Sequence, residues 1–384
     1  MKIGILTQPL KNNYGGLLQN YALQQVLIRN GYEAETLNWN TVNKQSLKEW
    51  IWRKKVFLKS FFCKNIKAPR YILSESESAI IGQHTNSFIK KYINTNQQIL
   101  HNSDDLKKLD YTNVYNAYIV GSDQVWRPRY NQGMIKAMFL DFLTRENVRK
   151  IAYAASFGTS KWEYTPQLTY ECSNLAKKFD LITVRERSGI ELCSEHLGVE
   201  AIWVLDPTML LNREDYEKAV LAEKEPKSEG TLFHYILDPS SEKKALIEDI
   251  AAKNGLKSFT VMPKHQAENR TKEDVKKRID DCVFPSVTKW LRAFMDAKMV
   301  VVDSFHGAVF SIIFNKDFWV IDNPKRGNAR FISLLEMFHL ENRMIKPDSY
   351  LAHMKDERID WQVVNGIRQQ EQERCISLLL DALS

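Results

Sequence analysis

The chain has 384 residues, 44% hydrophobic and 26% charged, which at about 100–200 residues per domain points to two globular domains and excludes a disordered or fibrous chain. Its net charge of +7 suits an anionic small substrate, an anionic membrane surface or nucleic acid. Five scattered cysteines without a CxxC pair favour a reducing cytoplasm and argue against a disulfide framework or structural zinc, and no apolar run reaches the about 18 residues of a membrane span or the form of a signal peptide.

In chain order, MKIGIL reads as a strand, QPLKNNYGG as a loop, LLQNYALQQVLIRNG as a helix closed by Gly31, and EAETLNW as the next strand, a βαβ opening. KEWIWRKKVFLKSFFCKNIK, residues 48–67, follows with seven Lys or Arg, one acid, two Trp and three Phe. It reads either as a helical insertion whose aromatics pack on the body while its lysines snorkel, or as a patch for anionic lipid. No RNP, helix-turn-helix or zinc-finger pattern supports nucleic acid. NAYIV, RKIAYAAS, DLITV and EAIWVLD then read as strands, each ending in a small or polar loop: GSDQ, SFG, VRE, DPT. In an open parallel sheet such loops line the crevice where ligands bind.

AEKEPKSEG, residues 222–230, is charged and rich in Pro, Gly and Ser, and reads as an interdomain linker. A second α/β series follows: TLFHYIL, a helix over 240–254, KSFTVM, the FPSVTKWLRAFMDA helix, MVVVD, GAVFSIIF and FWVID, with a C-terminal helix QQEQERCISLLLDAL. The expected domains are 1–225, carrying the basic aromatic insertion at about 45–70, and 226–384, with the last helix packing back on the first domain. The active site is expected between them.

The insert DSFHG places His306 where a buried strand ends and a helix begins. Free N–H groups and the helix dipole favour an anion there, and a bound anion would keep the imidazole protonated as a proton donor. A histidine that merely caps the helix is the competing structural reading. Arg185, Arg187, Arg326 and Arg330 follow strands and are candidates for a phosphate or carboxylate. Neither GxGxxG nor GxxxxGK[ST] occurs, so a nucleotide fingerprint is absent. AASFG is one residue from the GxSxG elbow, and Ser156, Asp206 and His306 fall in the chain order of an α/β-hydrolase triad. Against that triad, TSKWEYTP delays the helix to about Pro166.

Taken together, NNYGGLLQNYAL, VGSDQVWRP, YAASFG, VRERSG, VLDPTMLL, FPSVTKWL, DSFHGAVFSIIF and RGNARFISLL, in that order over roughly residues 10–335, resemble the polysaccharide pyruvyl transferase family. The resemblance implies an α/β fold of two Rossmann-like domains facing across a cleft (GT-B-like). It also implies transfer of the pyruvyl group of phosphoenolpyruvate onto two hydroxyls of a sugar in a capsular, exo- or cell-wall polysaccharide precursor, with release of phosphate. The family's histidine falls on His306, and Asp303 is a second catalytic candidate. Arg185, Ser304, Phe305, Gly307, Arg330 and Ser156 fall on the donor side, with Arg330 covering for the arginine that some members carry where this chain has Ser304.

Asn13, Tyr14, Gly15, Gly16, Gln19, Ser122, Asp123 and Gln124 fall on the acceptor side or in the cleft, and Asp123 is a further candidate base. No metal or cofactor is implied beyond phosphoenolpyruvate as donor substrate. The acceptor would be a sugar or an oligosaccharide on polyprenyl diphosphate, placing a cytoplasmic protein at the inner membrane face through residues 48–67. Two other readings stay open: a GT-B glycosyltransferase using a nucleotide sugar, and a non-catalytic saccharide-binding protein.

Overall fold

A computed structural model describes residues 1–40, 51, 55–56, 71–131, 133–266, 271–323, 327–346 and 358–384. The basic insertion therefore lies almost wholly outside the described residues, as does Arg326.

The first half builds a six-stranded parallel sheet from β1 (Lys2–Leu6), β2 (Glu33–Thr36), β3 (Ala117–Val120), β4 (Arg149–Ala155), β5 (Leu181–Val184) and β6 (Ile202–Trp203), in the order β2-β1-β3-β4-β5-β6. The second half builds a five-stranded parallel sheet from β7 (Leu232–Tyr235), β8 (Ser258–Phe259), β9 (Met299–Val302), β10 (Asp317–Ile321) and β11 (Met344–Ile345), ordered β11-β10-β9-β7-β8. Each order reverses at the first strand of its half, the topological switch point of a doubly wound sheet. AYIV of β3 and MVVV of β9 are buried at every position, as strands covered by helices on both faces must be.

Helix α1 (Tyr14–Arg29) begins three residues before its apolar run, because the Asn13 side chain accepts a hydrogen bond from Gly16 N–H and caps it. Its Tyr14 leaves its own domain: the ring packs on Tyr235, Phe284 and Trp290, and the hydroxyl donates to Pro285 O at 2.8 Å. One hydrophobic core thus runs through both halves, from Leu17 and Leu18 through Tyr216 to Trp290 and Phe310. Arg187 N–H donates to Ser333 Oγ at 2.9 Å across the same seam. After residues 222–230 have carried the chain into the second half, the C-terminal helix (Trp361–Leu383) returns to the first. There Arg374 Nη2 donates to Trp203 O and Gln372 Nε2 to Leu210 O.

Candidate active site

The helix after β9 spans Phe305–Ile313 and starts two residues before the apolar run read from the sequence. Ser304 is its N-cap, its Oγ accepting from Gly307 N–H at 2.9 Å, so that hydroxyl is engaged in the helix. Gly307 lies against its own strand, where an added Cβ would meet Val302 Cγ1 at 2.7 Å. His306 sits in the first turn with its imidazole flat against the other domain. A Cβ on Gly15 would come within 2.0 Å of His306 Nδ1. Only glycine at the head of α1 admits the ring.

His306 Nε2 faces Asp206 Oδ2 at 3.5 Å, an ion-pair distance. Asp206 ends the VLD stretch after β6 and is the hub of the site. Its Oδ2 accepts from Arg185 Nη1 at 2.9 Å and from Ser122 Oγ at 3.0 Å, while Oδ1 accepts from Thr208 N–H and Oγ1. Burial pushes the Asp206 carboxyl up, but His306 and Arg185 outweigh it and hold the group far below the usual carboxylate range. Arg185 also reaches Asp123 Oδ1 through Nη2 at 3.3 Å, and Asn13 Nδ2 meets Asp123 Oδ2 at 3.3 Å. Burial likewise pushes Asp123 up, and Arg185, His306 and Arg330 together hold it below its ordinary value. His306, Arg185 and Asp206 are only 8%, 3% and 2% exposed; Asn13, beside them, is exposed.

The backbone is strained where it delivers these groups. Asp123 has φ 73° and Ala154 φ 50°, the left-handed region that non-glycine residues avoid. A bulge between Ala152 and Ala155 breaks the β4–β5 register. Such conformations persist where the surroundings over-determine them, often at functional sites.

Phe305 supplies the ring on which the cationic side gathers. The Arg185 guanidinium stands 4.4 Å and that of Arg330 5.9 Å from its ring centroid, within cation–π range. Burial, then the neighbouring Arg185, push Arg330 down to about 10. Two buried arginines over one ring form a site poised for an anion. Among the described residues, Arg185 Nε, Glu186 Oε2 and His306 Nε2 have no hydrogen-bond partner, the last lying only at ion-pair distance from Asp206.

Several other sequence candidates have structural work instead. Ser156 Oγ donates to Glu186 Oε1 and accepts from Gly158 N–H, so the hydrolase triad lacks its serine although Asp206 and His306 do pair. Asp303 is bonded to Lys243 and to the backbone at 237–238, away from the cluster. Gln19 is buried, donating to Thr7 Oγ1 and Gly16 O. Gln124 accepts from Arg127 Nη1. Tyr14 anchors the domains to each other, and a Cβ on Gly16 would meet Asn13 Nδ2 at 2.7 Å. Sequence reasoning missed Asp206 as the partner of Arg185 and Glu186 as the anchor of the SFG loop. The strand-end position of Asp206 and its place in the chain order Ser156, Asp206, His306 were the available signals.

The family model for polysaccharide pyruvyl transferases matches residues 13–325, from the α1 cap past the histidine helix. This chain belongs to the polysaccharide pyruvyl transferase family. It is therefore a transferase, and its cluster of His306, Arg185 and Asp206 lies within the family region. No curated protein sequence matches significantly. Among solved structures, UDP-GlcNAc 2-epimerase from Methanocaldococcus jannaschii is similar with TM-score 0.53 and 13% identity, over 99% of each chain. Arabidopsis thaliana UGT89C1, solved with UDP-L-rhamnose, follows at TM-score 0.49 and 10% identity over 99% of this chain and 98% of the other. At 13% identity the likeness to the epimerase is one of fold, two facing Rossmann-like domains of GT-B type. Among the described residues no helix is long and apolar enough to cross a membrane.

Proposed function

We propose that the protein transfers the pyruvyl group of phosphoenolpyruvate onto two hydroxyls of a sugar in a polysaccharide precursor, releasing phosphate. The observation that carries this reading is the meeting, across the interdomain seam, of two buried arginines on Phe305 with a histidine ion-paired to Asp206. The donor bears a phosphate and a carboxylate, and Arg185 and Arg330 supply cations for both. Arg185 Nε is a donor left over for it.

Protonated His306, steadied by Asp206, gives its proton to C3 of the enol, which makes C2 an electrophile. A sugar hydroxyl adds to C2 and gives its proton to a base, the C2–O bond to phosphate breaks, and the second hydroxyl closes the ketal as its proton returns to the now neutral His306. One donor and one diol thus yield one ketal and one phosphate. Asp123, buried beside exposed Asn13, is our candidate for the base that takes the first hydroxyl proton. General acid catalysis of this kind contributes about 10²–10⁴-fold. The acceptor we favour is an oligosaccharide on polyprenyl diphosphate, with residues 48–67 resting on anionic lipid; failure to sediment with anionic vesicles removes the lipid part.

The test is phosphate release from phosphoenolpyruvate over a panel of sugars and lipid-linked saccharides, with the ketal identified in the product by NMR. Release that requires a diol acceptor and vanishes in His306→Ala is expected. Liberation of UDP or GDP from nucleotide sugars, with phosphoenolpyruvate untouched, would replace this reading by a glycosyltransferase.

A further inference from the structure

In the C-terminal sheet the switch point lies between β7 and β9, where a doubly wound domain ordinarily admits a ligand. Here the place is taken. Asp303, the first residue after β9, is 0% exposed and its carboxylate gathers four donors, three from the segments after β7 and β10 and one from a helix. Oδ1 accepts from Leu237 N–H at 2.6 Å; Oδ2 accepts from Asp238 N–H at 3.1 Å, Lys243 Nζ at 2.6 Å and Asn323 Nδ2 at 3.4 Å. Lys243 stands in the first turn of the helix Ser241–Lys253 and is 8% exposed. Asn323 also donates to Asp238 Oδ2 at 2.7 Å, which fixes a second carboxylate at the edge of the same place.

Consecutive backbone N–H groups after a strand, with a lysine from the following helix, are the donor set that elsewhere holds a phosphate. We infer that Asp303 is an internal ligand, its carboxylate filling the anion hole of the C-terminal sheet and closing that crevice to nucleoside diphosphates. A tethered carboxylate competes at high effective concentration, and an incoming diphosphate would meet two like charges, Asp303 and Asp238. Anion binding is thereby left to the seam between the domains. The inference rests on the sheet order and these contacts, not on the donor proposed above.

Asp303→Ala empties the hole while leaving Lys243 and both N–H groups in place. Formate or acetate, with no substrate present, is expected to raise the melting temperature of Asp303→Ala by about 2–4 °C and that of the wild type by less than about 1 °C. Adding Lys243→Met should abolish the rescue. Asp303→Asn, which still fills the space, should not respond. Equal responses of Asp303→Ala and wild type, or rescue of Asp303→Asn, would overturn the inference. A titration of wild type with UDP and GDP gives an arm that needs no variant at position 303. No binding is expected, and binding that Lys243→Met removes would overturn the claim even if Asp303→Ala does not fold.

Discussion

Replacing Asp206 by asparagine changes a charge and almost no volume, and the site has no orientation that accommodates the amide. Asp206 Oδ1 faces two Thr208 donors, and Oδ2 faces Ser122 Oγ and Arg185 Nη1, with His306 Nε2 at 3.5 Å. Turned either way, the amide NH₂ is driven against donors. Arg185 keeps Asp123 at 3.3 Å but loses its nearer carboxylate. Breaking a buried ion pair by removing one partner costs about 3–5 kcal/mol, and the surviving contact to Asp123 places Asp206→Asn near the lower end, about 3 kcal/mol. The assay is urea denaturation at neutral pH, read as a lowered midpoint at unchanged slope. A loss below about 1 kcal/mol would show that Asp206 does not hold the cluster together, and the argument from its contacts would fail.

Other expectations follow from the same seam. Asp206 and Asp123 are both held below their ordinary values, so their contribution to stability is present above the unfolded carboxylate value of about 3.9 and is lost as pH falls through the folded values. Melting temperature should therefore decline from about pH 5 downward, and less steeply in Asp206→Asn; an identical acid profile refutes the assignment. Gly15→Ala puts a methyl 2.0 Å from His306 Nδ1. Displacing the ring by about 1 Å should cost roughly 10²-fold in kcat with the donor KM nearly unchanged, and wild-type turnover would show that His306 needs no such seat. Gly327 has φ +88° and an added Cβ would lie 2.3 Å from Gly158 O in the other domain. Gly327→Ala should lower the melting point by the strain of about 1–2 kcal/mol for a left-handed residue plus the clash, and an unshifted transition would place that loop elsewhere.

The strands and their order of appearance were readable because β-branched and apolar runs such as MVVV and AYIV have few other uses. The helix starts were read late at both important places. At Asn13 and Ser304 a side-chain cap begins the helix before its apolar residues do, carrying Gly15 and His306 into a first turn. His306 and Arg185 stood out within short polar stretches, DSFHG and VRERSG, that follow buried strands. Asp206 and His306 are a hundred positions and one linker apart along the chain, and their pairing depends on how two halves dock, which no local pattern records. Asp303 misled in the opposite way. It neighbours Ser304, Phe305 and His306 in the chain, yet the strand-to-helix turn sends it into its own domain toward Lys243. Tyr14, in a polar loop by sequence, proved to be an anchor between domains because it is the residue α1 presents to Trp290. The basic insertion at residues 48–67 falls almost wholly outside the described residues, so its contacts were legible neither way.

The most direct test of the account is isothermal titration of phosphoenolpyruvate into wild type, Arg185→Lys and His306→Ala. Arg185→Lys keeps a cation beside Asp206 but removes the fork that suits phosphate and carboxylate, so binding should weaken by at least about 10-fold. His306→Ala, which removes a group acting in the transition state, should hold donor affinity within about 10-fold of wild type while losing turnover. Wild-type affinity in Arg185→Lys, or no binding to the wild type at all, would contradict the claim that the seam between the domains is the donor site.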